Sequence, residues 1–237
     1  MSTPAEAVAA LAGALEGRAP EQILAAVAPR FPGRIAVACS FGAEDCVLVD
    51  VVARHRLPVA LFTLDTGALF PETQALWATL EARYGVTIAA APAELPPLDR
   101  AKAPPWETDP DACCHVRKVL PLRAKLATLG AWVTGIRREQ TPDRATAQVV
   151  EWDGRFGLVK VNPLAGWTAA DVEAHVRRFE VPVSPLHARG YASIGCAPCT
   201  SPVRPGEDPR AGRWRGREKT ECGLHVGRTP GRGATEP

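Results

Sequence analysis

The chain has 237 residues, 46% of them hydrophobic and 23% charged, a globular balance that excludes a disordered or fibrous protein. Its 28 Lys and Arg against 26 Asp and Glu leave a formal charge of +2, which argues against a protein held on nucleic acid by a general basic field. No apolar run approaches the ~18 residues of a membrane helix, and the Ala-rich start carries Glu6 and Glu16 without a basic stretch, so it reads as an amphipathic helix of a cytoplasmic protein rather than a signal peptide.

Residues 1–33 predict two short helices, the first capped by Thr3 with Pro4 at its first position and stopped by Gly17. Residues 34–170 alternate apolar runs with helical stretches. Arg34–Cys39 is a first strand, followed by a helix to about Arg54; Pro58–Leu64 is a second, followed by a helix near Glu72–Tyr84; Val86–Ala90 is a short third. Residues 111–129 read as helix and Ala131–Gly135 as a fourth strand. This rhythm predicts an α/β protein with a doubly wound, mostly parallel sheet. Gln148–Trp152 and Arg155–Val161 read as a hairpin joined by an Asp153-Gly154 turn, and residues 168–179 as one more helix. From about 181 the chain is rich in Pro, Gly and Arg and predicts an irregular segment ending in a mobile tail. The expected organisation is 1–33, N-terminal helices; 34–200, an α/β domain; 201–237, a mobile C-terminal segment.

Three strand ends carry residues suited to an anionic ligand. Ser40-Phe-Gly-Ala-Glu-Asp45 joins strand to helix, where converging N–H groups and the helix terminus favour an anion, although both the Gly-Lys-Ser/Thr phosphate loop and GxGxxG are absent. Alone, this segment is better read as a tight turn. Leu64-Asp-Thr-Gly67 ends the next strand, at the side of a doubly wound sheet where ligands bind; Asp65 there either bonds a ribose hydroxyl or caps the next helix. Thr134-Gly-Ile-Arg137 and the residues to Arg144 bring cations to a third strand end, and Arg210–Arg217 adds an arginine run. Guanidinium suits bidentate capture of phosphate or sulfate, so an oxyanion cleft is a better reading than a set of solvated loops.

Seven cysteines without a secretion signal argue for reduced thiols rather than a disulfide framework. Cys113-Cys114 and Cys196-Ala-Pro-Cys199 supply four thiolates, enough for zinc or an iron–sulfur cluster. Adjacent cysteines fit one tetrahedral ion poorly, whereas a cubane offers each a different iron, which favours [4Fe–4S]. Arg117 and Lys118 follow, placed to offset an anionic cluster or hold an anion beside it. Cys222 stands apart after the arginine run, whose cations favour the nucleophilic thiolate. Cys39 and Cys46 read as small packing residues.

Taken with Asn162-Pro-Leu164, Gly190–Cys199, Gly206-Glu-Asp208, Arg210-Ala-Gly-Arg-Trp214 and Glu221-Cys-Gly-Leu-His225, these motifs resemble the assimilatory adenylyl-sulfate (APS) reductases, in the family that also holds the phosphoadenylyl-sulfate (PAPS) reductases. The resemblance runs from about residue 34 to 225 and is most specific in the last third. It implies an adenine-nucleotide α-hydrolase-like fold and reduction of adenosine 5′-phosphosulfate to sulfite and AMP in sulfate assimilation, with thioredoxin or a similar dithiol protein as partner. It implies a [4Fe–4S] cluster on Cys113, Cys114, Cys196 and Cys199, and Cys222 as nucleophile. Ser40, Phe41, Gly42, Asp45, Leu64, Asp65, Thr66 and Gly67 would line the nucleotide site. Lys118, Arg137, Arg144, Arg210, Arg213 and His225 would surround the phosphosulfate. Cys39 stands where the family more often has a hydroxyl residue, and the stretch from Trp214 to Glu221 is short for it. No nucleic-acid or membrane partner is expected, and the sequence is compatible with a homo-oligomer.

The alternatives are a PAPS or dual-specificity reductase, an ATP-dependent thiolation enzyme, and a non-catalytic zinc or redox module. PAPS reductases usually lack the four cysteines. Thiolation enzymes carry a Ser-Gly-Gly-x-Asp-Ser loop that residues 40–45 do not match. A regulatory module has no need of Cys222 near a nucleotide cleft.

Overall fold

Six short apolar runs form one sheet: β1 (Ile35–Ala38), β2 (Ala60–Asp65), β3 (Ile88–Pro92), β4 (Ala131–Val133), β5 (Val150–Asp153) and β6 (Leu158–Val161). The computed structural model describes residues 4–92, 103–219 and 222. The order is β3-β2-β1-β4-β6-β5, parallel except for β5, which runs antiparallel to β6. The strand order reverses at β1, with β2 on one side and β4 on the other, so the crevice beyond their carboxyl ends is where such a sheet binds ligands.

Both faces of the sheet's centre are covered, which is why β1 and β4 are apolar throughout, whereas the edge strand β5 alternates. Ile35 and Val37 face a layer that includes α2 (Pro20–Val27), α3 (Ala43–Arg54), α4 (Pro71–Tyr84) and α8 (Ala169–Phe179), with Ile23, Leu24, Val47, Leu48, Leu80 and Val172 buried in it. Ala36, between them, faces the other side, where Phe62 and Trp132 pack on Leu122 and Leu126 of α7 (Leu120–Leu126). The N-terminal α1 (Pro4–Leu15) buries Ala12 and Leu15. Beyond it, Glu16 receives both terminal nitrogens of Arg138 at 2.8 Å.

Three local expectations change. The stretch 111–129 is helical as expected as far as Leu126, but α6 (Pro110–Cys114) and α7 are joined by a π-helical turn over His115–Val119, and a separate short α5 (Pro105–Thr108) precedes them. Such wide turns often accompany functional sites, because they shift the side chains that follow. The third strand lies two residues later than its apolar start suggests. The hairpin turn is a four-residue loop, 154–157, instead of a two-residue Asp-Gly turn, since Asp153 still pairs with Leu158. Phe156 explains the difference: its ring packs edge-on against Trp132 at 5.9 Å, which draws the loop back over the core. The segment after α8 is irregular as expected among the described residues, with short 3-10 turns and a single bridge, Thr200 to Arg213.

Candidate active site

A cleft of about 840 Å³ opens at the carboxyl ends of β1, β2 and β4. Its β1 wall is the turn Ser40–Gly42. Phe41 adopts a left-handed conformation, φ 65°, which costs a side-chain-bearing residue roughly 1–2 kcal/mol. Burial and a ring contact with Trp77 at 5.7 Å hold it there. Asp45, in the first turn of α3, folds back beneath: its Oδ2 accepts from both the Ser40 amide and the Ser40 hydroxyl at 2.6 Å. Burial lifts Asp45 to about 6, opposed by these two bonds. Gly42 is the N-cap of α3, so the helix begins at the cleft and directs its first amides there.

The β4 wall approaches α3 closely. A Cβ on Gly135 would meet Asp45 Oδ1 at 2.6 Å and Glu44 Cβ at 2.8 Å, so only glycine fits. Two residues on, Arg137 is buried and ion-paired to Glu44 at 2.9 Å and Glu139 at 3.0 Å. Gln140 links the group, donating to Glu44 at 3.0 Å and accepting from Arg144 at 2.5 Å. Arg137 and Arg144 therefore line the cleft within a carboxylate–amide network that sets their direction.

Thr66 joins the β2 end to both cysteine segments. Its hydroxyl lies 3.3 Å from Cys196 Sγ, and its carbonyl accepts from the buried Arg117 at 2.6 Å. The amide of Ala197 also donates to Ala68 at 2.8 Å. Cys113, Cys114, Cys196 and Cys199 all line one small cavity, with Arg117, Lys118 and Trp214. They surround it instead of converging on a point; among the described residues, no three His, Cys, Asp or Glu stand at the spacing of a single metal ion. Burial raises the pKa of Cys113, of Cys199 and of Cys114, the last to about 11, while Arg117 opposes at Cys113, and Lys118 and Lys219 at Cys114. Four thiols from two chain segments beside cations match a donor set for a thiolate-bound group, since ligation removes the thiol protons and leaves negative charge for the cations to offset.

Lys118, Arg210, Arg213 and Cys222 complete the cleft, so residues from both ends of the chain meet in one space. Cys222 is half-buried and lines the same cleft as Arg213. Desolvation lowers the pKa of Arg213, opposed first by Cys222; its Nη1 donates to Ile194 O at 3.3 Å, and its buried Nε has no partner among the described residues.

Of the expected site residues, Ser40, Phe41, Gly42, Asp45, Leu64, Thr66, Lys118, Arg137, Arg144, Arg210, Arg213 and Cys222 line the cleft. Asp65 and Gly67 do not: Asp65 Oδ1 accepts from the Gly67 amide at 3.0 Å, and the following helix has no side-chain cap, so Asp65 shapes its own turn. His225 lies outside the described residues. Cys39 and Cys46 are buried, with thiol pKa values pushed up by desolvation, as packing residues would be. The sequence reading placed Glu44 within the lining turn but not its ion pair with Arg137, and missed Gln140 and His187. Gln140 lies inside the quoted stretch to Arg144 but carried no signal of its role, and His187 had no local signal. His187 lines the cleft with Nδ1 held 2.9 Å from Tyr191 O. Asn162 acts in the scaffold: fully buried, it accepts from Thr134 at 2.6 Å and donates to Gln148 O at 2.8 Å.

Comparison with known proteins agrees with this geometry. A model of the phosphoadenosine phosphosulfate reductase domain matches residues 34–202. A Gloeobacter violaceus protein named phosphoadenosine 5′-phosphosulfate reductase is 44% identical over 222 residues, covering 91% of this chain and 92% of that one. A Burkholderia cepacia protein named adenosine 5′-phosphosulfate reductase is 46% identical over 202 residues, covering 81% of each. The crystal structure of a PAPS reductase from Candida auris, a phosphate complex, is similar with a TM-score of 0.74 and 27% identity over 86% of this chain and 99% of that one.

Proposed function

The chain belongs to the phosphoadenosine phosphosulfate reductase domain family, with an adenine-nucleotide α-hydrolase-like fold, and from that premise we propose that it reduces adenosine 5′-phosphosulfate to sulfite and AMP. The observation that carries the reading is one cleft lined by the Ser40–Asp45 turn, by cationic side chains that include Lys118, Arg137, Arg144, Arg210 and Arg213, and by Cys222. The turn and the start of α3 receive the nucleotide. Lys118, Arg144, Arg210 and Arg213 hold the phosphosulfate, whose negative charge would otherwise repel a thiolate.

The Cys222 thiolate attacks the sulfate sulfur. An S–S bond forms, the S–O bond to the phosphate breaks, and its electron pair leaves on AMP. The product is S-sulfocysteine at 222. One thiolate of a dithiol protein of the thioredoxin type then attacks Cys222 Sγ and expels sulfite. Its second thiol resolves the mixed disulfide, so the dithiol supplies both electrons. Cys113, Cys114, Cys196 and Cys199 would hold a [4Fe–4S] cluster, supported by the cavity they share; when bound it supplies a fixed electrostatic field. A second reading, the 3′-phosphorylated substrate PAPS, is favoured by the name of the Gloeobacter relative.

The test is direct. Protein purified without air is expected to be brown and to retain sulfur label on Cys222 after incubation with labelled APS and no reductant. A colourless preparation, or label persisting in Cys222→Ser, overturns the reading. The same incubation with PAPS decides the substrate.

A further inference from the structure

The segment before Cys222 is held in two different ways. Up to Trp214 it is stapled by backbone to the C-x-x-C loop: the Ser201 amide donates to Gly212 O at 2.9 Å, Trp214 N to Cys199 O at 3.0 Å, and Thr200 bridges Arg213. Trp214 itself is buried in a left-handed conformation, φ 47°. Beyond it the chain turns at Gly216, φ 80°, where a glycine bends without strain. The contacts that follow reach the other cysteine segment through side chains. Arg217 Nη1 donates to Glu107 O at 2.9 Å, and Lys219 Nζ pairs with Asp111, two residues before Cys113. The Lys219 side chain is 9% exposed although its partner is 82% exposed, because its stem crosses the Trp214 ring, with Nζ 5.3 Å from the centroid.

From this geometry we infer that Lys219 and Arg217 are positioning residues, a latch that fastens the chain beyond the Gly216 bend onto α5 and α6 and thereby keeps Cys222 in the cleft. The inference rests on the reductase reading. That reading asks two opposed things of Cys222: to meet the sulfur inside the cleft, then to present its own sulfur to a protein outside. A latch of one shielded ion pair and one hydrogen bond suits this. Contacts of this kind are worth about 1 kcal/mol, roughly a fivefold bias, enough to favour the docked position without forbidding release.

The experiment uses the full chain purified without air. Alkylation of Cys222 by iodoacetamide is followed by mass spectrometry of its peptide with no substrate present. Separately, single-turnover formation of the APS-derived label and its discharge by a dithiol protein are timed. Lys219→Met and Arg217→Met/Lys219→Met are expected to speed alkylation about fivefold, slow label formation and hasten discharge, while Lys219→Arg restores all three. A merely structural role would not move formation and discharge in opposite directions. Alkylation unchanged within twofold in both variants, or formation and discharge slowed together, overturns the latch. If wild-type protein takes up no label, the reductase reading fails, and the alkylation rates alone still decide the latch.

Discussion

The floor of the cleft and the strap that closes it are held by different forces. The floor stands on parallel ladders and on side chains such as Leu48 and Val37, fully removed from water. The strap, residues 200–219, has one bridge, a few turn bonds and polar side-chain contacts, among them Arg215 with Glu207 at 2.7 Å. Burial of apolar surface holds a binding surface in one arrangement, because nothing else in the molecule competes for it. Polar contacts on an irregular segment are individually weak and exchange with water, and beyond Gly216 the strap rests on such contacts, whereas up to Trp214 it is held by backbone bonds and by the buried ring. The division matches the proposed chemistry, in which the nucleotide needs a fixed seat and the nucleophilic thiol has to serve two partners.

Substitutions can break or sharpen this contrast. The largest effect belongs to the floor: Leu48→Ala should lower unfolding free energy by about 2–5 kcal/mol in denaturant titrations. Arg213→Met should leave the unfolding midpoint nearly unchanged, yet reduce single-turnover labelling of Cys222 by about 100- to 1,000-fold; equal losses of stability and rate would mean that the strap is part of the core. Asp45 gives a pH signature of the floor. Its pKa of about 6 lies above the ~3.9 of an unfolded aspartate, so the proton favours the folded state. That contribution is complete below about pH 4 and is lost as pH rises through 6. Between pH 4 and 7 the wild type should lose on the order of 2 kcal/mol relative to Asp45→Asn, measured as the difference between their unfolding free energies. The smallest effect is expected at the Glu16–Arg138 pair, where both side chains are partly exposed. Arg138→Met should cost about 0.5 kcal/mol, and less in high salt.

The same division decides what could be read from the residues in order. The helix after β1 ends at Arg54 as its pattern requires, and α4 ends at Tyr84, because periodicity and stop signals are local. The paired cysteines were legible as spacing, and the strand-end turns as composition. What stayed hidden depends on residues distant in the chain. Arg137 looks like a cation offered to a ligand, but Glu44, held on a different element, already occupies part of its fork. Asp65 looks like a ligand contact and is used by its own turn. Arg117 reads with Lys118 as a cation offered to a cluster or a bound anion, yet within the π-helical turn it is buried and donates to the Thr66 carbonyl. The strap's attachment to α5 and α6 had no signal either, since Glu107 and Asp111 precede their partners by half the chain.

The position of β1 at the centre of the sheet has a consequence for the order in which the molecule can assemble. Ile35 pairs with Ala131, so the first strand to leave a ribosome cannot complete its ladder until the fourth has been made. Pairings of such separation are slow to form, because the intervening chain must be closed before any contact rewards it. The Thr66 turn that receives Cys196 and Arg117 is built on the neighbouring strand. The four cavity thiols come as two local pairs, and the pairs are brought together only by these tertiary contacts. Whatever binds all four draws on those contacts, so its binding is coupled to completion of the sheet.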